Sequence, residues 1–217
     1  MALFTRADLQ RTAAFRKSLG FTKTASAKLL DEARKFDPST LYDVFLSHAS
    51  LDADEIWELR EDIQQLGYTV YVDWIDDPQL DRSRVTRKTA ALLKERMHAC
   101  RSLLFATTPH SQRSVWMPWE LGYFDGMGRH VAVLPILEEE PAIEDAYVGR
   151  EYLALYPYVS LNDTARSTPA RPRKELFINL APDNYVSMKS WLDGSEPTPR
   201  SNPPLVLSGT PRLRRRS

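Results

Sequence analysis

The sequence predicts an α/β domain built on an open parallel sheet with helices on both faces. Three observations carry this. From Leu41 onward, short apolar runs alternate with segments whose apolar residues recur at helical spacing. The strand-like runs are continuously apolar rather than alternating, as strands covered on both faces are. The chain has 217 residues, 42% hydrophobic and 27% charged, enough to bury one core without metal or disulfide support.

The elements follow in order. Tyr42-Asp43-Val44-Phe45-Leu46 reads as the first strand, and Ser47-His48-Ala49-Ser50 as a small polar turn that caps the next helix. That helix spans 51–66, with Ile56, Leu59, Ile63 and Leu66 on one face, and Gly67 stops it. Tyr68 to Val72 is β-branched and aromatic, a second strand. A loop over 73–83 leads to a helix over 84–98, and Ser102 to Thr107 is the third strand. Pro109 to Ser114 turns into a helix over 115–127, and Val131 to Leu137 is the fourth strand.

Beyond it, 138–149 is an acidic loop, and Tyr152 to Leu161 reads as extended. Residues 163–173 form a Thr/Arg/Pro-rich excursion, Leu176 to Leu180 a last strand, and 184–192 a last short helix. Upstream, 6–19 and 24–36 read as two helices, which pack on the main domain or on a second subunit. The organisation is therefore an N-terminal helical extension over 1–38, a domain over 39–193, and a disordered Pro- and Arg-rich basic tail over 194–217.

Composition narrows the function. Lys+Arg and Asp+Glu balance at 29 each, so no nucleic-acid partner is expected. Cys100 is the single cysteine, which excludes an intrachain disulfide and fits a reducing, cytoplasmic setting. It follows a helical pattern and precedes an apolar strand, so it reads as a small buried hydrophobe. There is no apolar stretch of signal-peptide or membrane-span length. The four histidines and one cysteine show no metal-ligand spacing.

In an open parallel sheet, ligands bind beyond the carboxyl ends of the strands. Ser47 to Ser50, Asp73-Trp74, Thr107-Thr108 and the stretch after Pro135 fall there. So does the start of the helix that opens Ser114-Val115-Trp116-Met117-Pro118-Trp119-Glu120-Leu121. Ser114 suits an N-cap and Pro118 a first turn, which sets Glu120 where the helix dipole favours a carboxylate. Trp116 and Glu120 share a face. An acid beside an aromatic plane suits a sugar-and-ring ligand. The same residues also read as a glutamate favouring its own helix start beside a packing tryptophan. His48 likewise reads as a ligand contact or as a structural loop histidine. Asp73 and Trp74 read as a closing pair or as a strand cap and a packing ring.

The stretch from Tyr42 to Ser50 resembles the first signature box of TIR domains, and Trp116-x-x-x-Glu120-Leu121 resembles the helix bearing the catalytic glutamate in NAD+-cleaving members. The resemblance covers Leu41 to Ile136 and continues through Tyr152–Pro157 to Trp191-Leu192. It implies a flavodoxin-like fold and cleavage of the nicotinamide–ribose bond of NAD+, to ADP-ribose or a cyclic ADP-ribose. Glu120 is then catalytic, and Phe45, Ser47, His48, Ser50, Asp73, Trp74, Trp116 and Trp119 contact the substrate. NAD+ enters as substrate, with no separate cofactor or metal.

The resemblance further implies a homo-oligomer, completed by the 73–83 loop of a neighbour. It also implies antiphage defence of the Thoeris kind, acting on an effector protein through a diffusible nucleotide. The loop after Asp73 lacks the Pro-Gly pair of animal adaptor members, which weakens adaptor-style docking. A non-catalytic TIR assembly module is the competing reading. A receiver domain lacks its acid cluster here. Flavodoxin and dinucleotide-binding readings lack their glycines over 43–66.

Overall fold

A computed structural model describes residues 2–18, 39–72, 86–138, 151–163 and 174–199. Four parallel strands form the expected framework: β2 (Tyr42–Ser47), β3 (Val70–Val72), β4 (Cys100–Thr107) and β5 (His130–Leu137). They lie in the order β3-β2-β4-β5 and continue through β6 (Tyr158–Asp163) to β7 (Lys174–Ala181), β8 (Asn184–Ser187) and β9 (Thr198–Pro199).

Because strand side chains alternate, β2 sends Val44 and Leu46 to one face and Phe45 and Ser47 to the other. Helix α2 (Ala53–Gln65) lays Ile56, Leu59 and Ile63 on the first face, against Val44, Leu46, Leu104 and Leu134. Helices α3 (Arg87–His98) and α4 (Trp116–Gly126) cover the second face, with Leu93, Met97, Met117, Leu121 and Phe124 packed on Phe45, Leu103 and Phe105. Two apolar layers thus enclose the parallel strands, as their unbroken apolar runs require.

Local signals set the helix ends. Gly67 takes φ +95°, its N–H reaches Gln64 O at 2.9 Å, and Tyr68 N–H reaches back to Ile63 O. This is the glycine-terminated helix end that the sequence predicts. Thr86 caps α3 by accepting from Thr89 N–H at 3.1 Å, so that helix begins later than position 84. Cys100 is buried, with its Sγ directed at the Arg96 carbonyl and its thiol pKa pushed up by burial, which makes it a packing residue.

The sheet departs from the all-parallel expectation beyond β6. Strands β7, β8 and β9 pair antiparallel. Tyr152 to Leu161, expected to be extended, instead opens within a 3₁₀ turn over Glu151–Leu155, and pairing begins at Tyr158. Of the helix expected over 184–192, the first four residues form β8, with Val186 buried opposite Ile178. Only Met188–Leu192 coils, as α5, once Ser187 caps it by accepting from Ser190 N–H at 3.2 Å. Thr198–Pro199 extends the sheet against Asn184 and Tyr185, so this part of the expected tail is ordered. Proline is tolerated there because an edge strand need not donate outward. The helix expected over 24–36, the 73–83 loop and residues 200–217 lie outside the described residues.

Residues 2–18, expected as a helical extension, pack on the main domain and contribute a strand as well as a helix. Val133 N–H donates to Pro157 O at 2.8 Å, which places that edge of β5 toward β6. Pro135, two residues on, faces the same edge and has no N–H to give. The described β5–β6 register consists of Val133 with Tyr158. Beyond the proline, β1 (Phe4–Thr5) pairs with Ile136 and Leu137, and Ala2 exchanges two 2.8 Å backbone bonds with Leu161. Helix α1 (Arg6–Ser18) then lies along α2, burying Leu9 and Ala13.

Charge fastens the α1–α2 contact. Arg6 Nε donates to Glu55 Oε1 at 2.7 Å, Gln10 Nε2 to the same oxygen at 2.9 Å, and Arg16 pairs with Glu58 at 3.1 Å. Burial raises the Glu55 pKa, but the Arg6 and Gln10 hydrogen bonds outweigh it and hold the group below the ordinary carboxylate value. A depressed carboxylate contributes stability above its unfolded pKa, about 4.3, and loses it as pH falls through the lower folded value. Arg6→Met is therefore expected to cost about 1–3 kcal/mol at pH 7. In urea melts repeated toward pH 3, the gap between variant and parent should narrow. A gap that stays constant or widens would refute this account.

Candidate active site

The site is built at the carboxyl end of β2. Leu46 points into the first core, so Ser47 points to the other face and meets α4. Helix α4 begins where expected: Ser114 Oγ accepts from Met117 N–H at 3.2 Å, and Pro118 falls in the first turn. This start turns Trp116 and Glu120 toward the sheet. Glu120 is 0% exposed, and Ser47 Oγ donates to its Oε2 at 2.6 Å. Ser47 of β2 and Glu120 of α4 thus meet in a hydrogen bond closed off from water.

The other expected contacts are distributed unevenly. Phe45 is fully buried beneath the site and packs on Tyr71 at 5.7 Å between ring centres. His48 is turned inward, with Nδ1 3.1 Å from the Leu46 carbonyl, the geometry of a histidine that fastens its own loop. Trp116 is buried and meets Trp119 edge-on at 5.5 Å, while half-buried Trp119 stacks on Tyr123 at 5.6 Å. The tryptophans thus begin an aromatic ladder along α4 that ends where Tyr123 Oη meets His98 Nε2 at 3.0 Å. Ser50 begins the 3₁₀ turn before α2. Its side chain, with Asp73 and Trp74, lies outside the described residues. Asp52, Asp54 and Glu55 already supply negative charge where α2 starts. A phosphate at that helix start would meet these carboxylates as well as the dipole.

Sequence reasoning missed a cluster on the same rim. Asp52, Thr108 and His110 join the start of α2 to the β4–α4 loop. Thr108 was placed on the rim by its strand, but nothing in the spacing of 52, 108 and 110 announces a contact between them. A surface cavity of about 110 Å³ opens elsewhere, beside β3, lined by residues including Tyr42, Arg60, Gln64 and Thr69. No helix among the described residues is long and apolar enough to cross a membrane.

The TIR domain family matches residues 44–176, a span that begins within β2, takes in Ser47, α4 and Glu120 and runs into β7. The chain belongs to the TIR domain family. This TIR domain is 46% identical over 196 residues to a protein of Bacillus cereus (strain MSX-D12) named "Probable 3' cyclic ADP-D-ribose synthase ThsB'". That alignment covers 88% of this chain and 98% of the relative. It is 28% identical over 109 residues to a protein of Cytobacillus dafuensis named "Putative cyclic ADP-D-ribose synthase TIR2", covering 50% of this chain and 29% of that longer relative.

The Ser47–Glu120 bond yields a stability test. Ser47→Ala leaves the buried carboxylate without that donor, at an expected cost of about 1–3 kcal/mol. The urea midpoint should fall while the unfolding slope stays the same. An unchanged midpoint would mean that Glu120 does not depend on Ser47.

Proposed function

We propose that this TIR domain cleaves the nicotinamide–ribose bond of NAD+ and closes the product into a cyclic ADP-ribose. The observation that carries the reading is the buried Glu120 carboxylate, held by Ser47 at the ligand-binding end of the sheet. The substrate class comes from the relatives' names: one, matched over nearly its whole length, is named "Probable 3' cyclic ADP-D-ribose synthase ThsB'".

The chemistry suits one well-placed acid. Nicotinamide leaves from a cationic ring and needs no protonation. As the bond stretches, positive charge develops on the ribose, giving an oxocarbenium-like transition state. A carboxylate enclosed by protein stabilises that charge more than one in water does. In this reading Glu120 faces the ribose and Ser47 fixes the carboxylate. Trp119 offers a ring plane, and Phe45 and Trp116 shape the floor beneath it. Ser50, Asp73 and Trp74 remain proposed substrate contacts, while His48 fastens its own loop to the Leu46 carbonyl. Because Glu120 has no exposed surface, NAD+ binding is coupled to a movement that uncovers it.

NAD+ is the substrate, and no separate cofactor or metal is assigned. The wider setting we propose is a cytoplasmic Thoeris-type antiphage system. There the chain works as a homo-oligomer and its nucleotide product activates an effector protein. The synthase names of both relatives favour this over a non-catalytic assembly module.

Glu120→Gln tests the assignment. The amide keeps the size of the side chain and the contact with Ser47, so the melting temperature should change little. Nicotinamide release should fall at least about 100-fold, the scale of removing one preorganised stabilising group. Near-normal release would sink the catalytic assignment and return the assembly module as the better reading.

A further inference from the structure

NAD+ carries a diphosphate at the far end of the ribose that loses nicotinamide. None of the contacts proposed above supplies a cation for it. The start of α2 opposes it with Asp52, Asp54 and Glu55. A cation on the other side of the site is therefore the feature to look for, and the cleft between α3 and α4 holds one.

The strand order decides which way Glu120 points. Ser47 belongs to β2, and in the order β3-β2-β4-β5 that strand lies on the α3 side of β4. Helix α4, which joins β4 to β5, therefore sends Glu120 toward α3 to meet Ser47. The two helices touch. Lys94 Nζ stands 5.0 Å over the Tyr123 ring, and His98 Nε2 lies 3.0 Å from Tyr123 Oη. Lys94 and His98, four apart, thus mark the stripe of α3 that faces α4. Arg87 precedes Lys94 by seven residues, two turns along the same stripe. Trp116 precedes Tyr123 by the same seven, two turns along α4. Both helices follow parallel strands and start at the carboxyl end of the sheet, so the two climbs run in one direction. Arg87 then stands across the cleft from Trp116 at about one helix spacing, ~8–10 Å. Glu120 lies one turn below Trp116, on the cleft side.

Arg87 is exposed, and among the described residues no ion pair or hydrogen bond engages it. The first turn of α3 in which it stands holds no acid. A guanidinium presents a planar fork of donors that matches the oxygens of a phosphate. We infer that Arg87 binds the diphosphate of NAD+ and so sets the nicotinamide ribose against Glu120. It is a specificity-determining residue, which selects a substrate by its phosphates and takes no part in breaking the bond. The inference rests on the NAD+-cleavage reading and adds how the substrate is oriented: its diphosphate lies toward α3, away from the acidic start of α2.

The test follows initial rates of nicotinamide release by the full-length chain over a range of NAD+ concentrations, with ADP-ribose or nicotinamide added as inhibitor. It uses wild type, Arg87→Gln and Arg87→Lys, with the fold of each checked by circular dichroism. Arg87→Gln should raise the KM for NAD+ at least about 10-fold, the scale of one charge-assisted hydrogen bond, and leave kcat within a few-fold of wild type. Inhibition by ADP-ribose, which keeps the diphosphate, should weaken by the same factor. Inhibition by nicotinamide, which lacks it, should stay as it was. Arg87→Lys keeps the charge and should recover part of the loss. A merely structural arginine would move both inhibitors together or neither. An unchanged KM in folded Arg87→Gln overturns the inference, and so does an equal weakening of both inhibitors. A wild type that releases no nicotinamide overturns the NAD+-cleavage reading itself, and the inference falls with it.

Discussion

The buried carboxylate of Glu120 constrains much of the surrounding structure. A carboxylate withdrawn from water costs several kcal/mol unless polar partners replace its hydration. Ser47 supplies one, and that requirement reaches well beyond two residues. A slip of one residue in β2 would present Leu46 or His48 in place of Ser47, so the parallel register with β4 has to hold. The start of α4 has to hold as well. Moving it by one position rotates the helix by about 100° and carries Glu120 off the sheet. The Ser114 cap and the first-turn Pro118 fix that start.

The framework of the fold was legible because the parallel strands are apolar runs and because α2 and α3 each carry an apolar face. Gly67, Ser114 and Pro118 act locally, so their roles could be read from a few neighbouring residues. The antiparallel β7–β9 end was harder. Asn184 to Ser187 is short and half polar, and its strand character comes from pairing with β7, which no local pattern encodes. Pro135 was visible as a proline at the end of β5. Its effect on the ladder depends on which edge of β5 faces β6, and only the hydrogen bond from Val133 reveals that.

The candidate site divides along the same line. Glu120, Trp116 and Ser47 were found because the helix start and the strand end are encoded nearby. That Ser47 and Glu120 touch is a long-range fact, as is the Asp52–Thr108–His110 cluster, whose members come from two separate loops. His48 and Trp116 stood out as polar or aromatic residues beside the site. The structure shows both engaged in the protein's own packing, His48 with the Leu46 carbonyl and Trp116 in the core beneath α4. Residue type singles out these side chains but does not encode that both turn inward.

The strand at the amino terminus bears on the order in which the molecule is assembled. Phe4 and Thr5 are synthesised before the rest of the sheet, yet their partners are Ile136 and Leu137, and Ala2 waits for Leu161. Contacts so distant along the chain are slow to form, since the closure entropy must be met before any pairing rewards it. During translation the central strands and their helices can collapse together while the leading segment is still unseated. The gap that Pro135 leaves beside β5 is then filled late, by a segment that leaves the ribosome before the strands it joins.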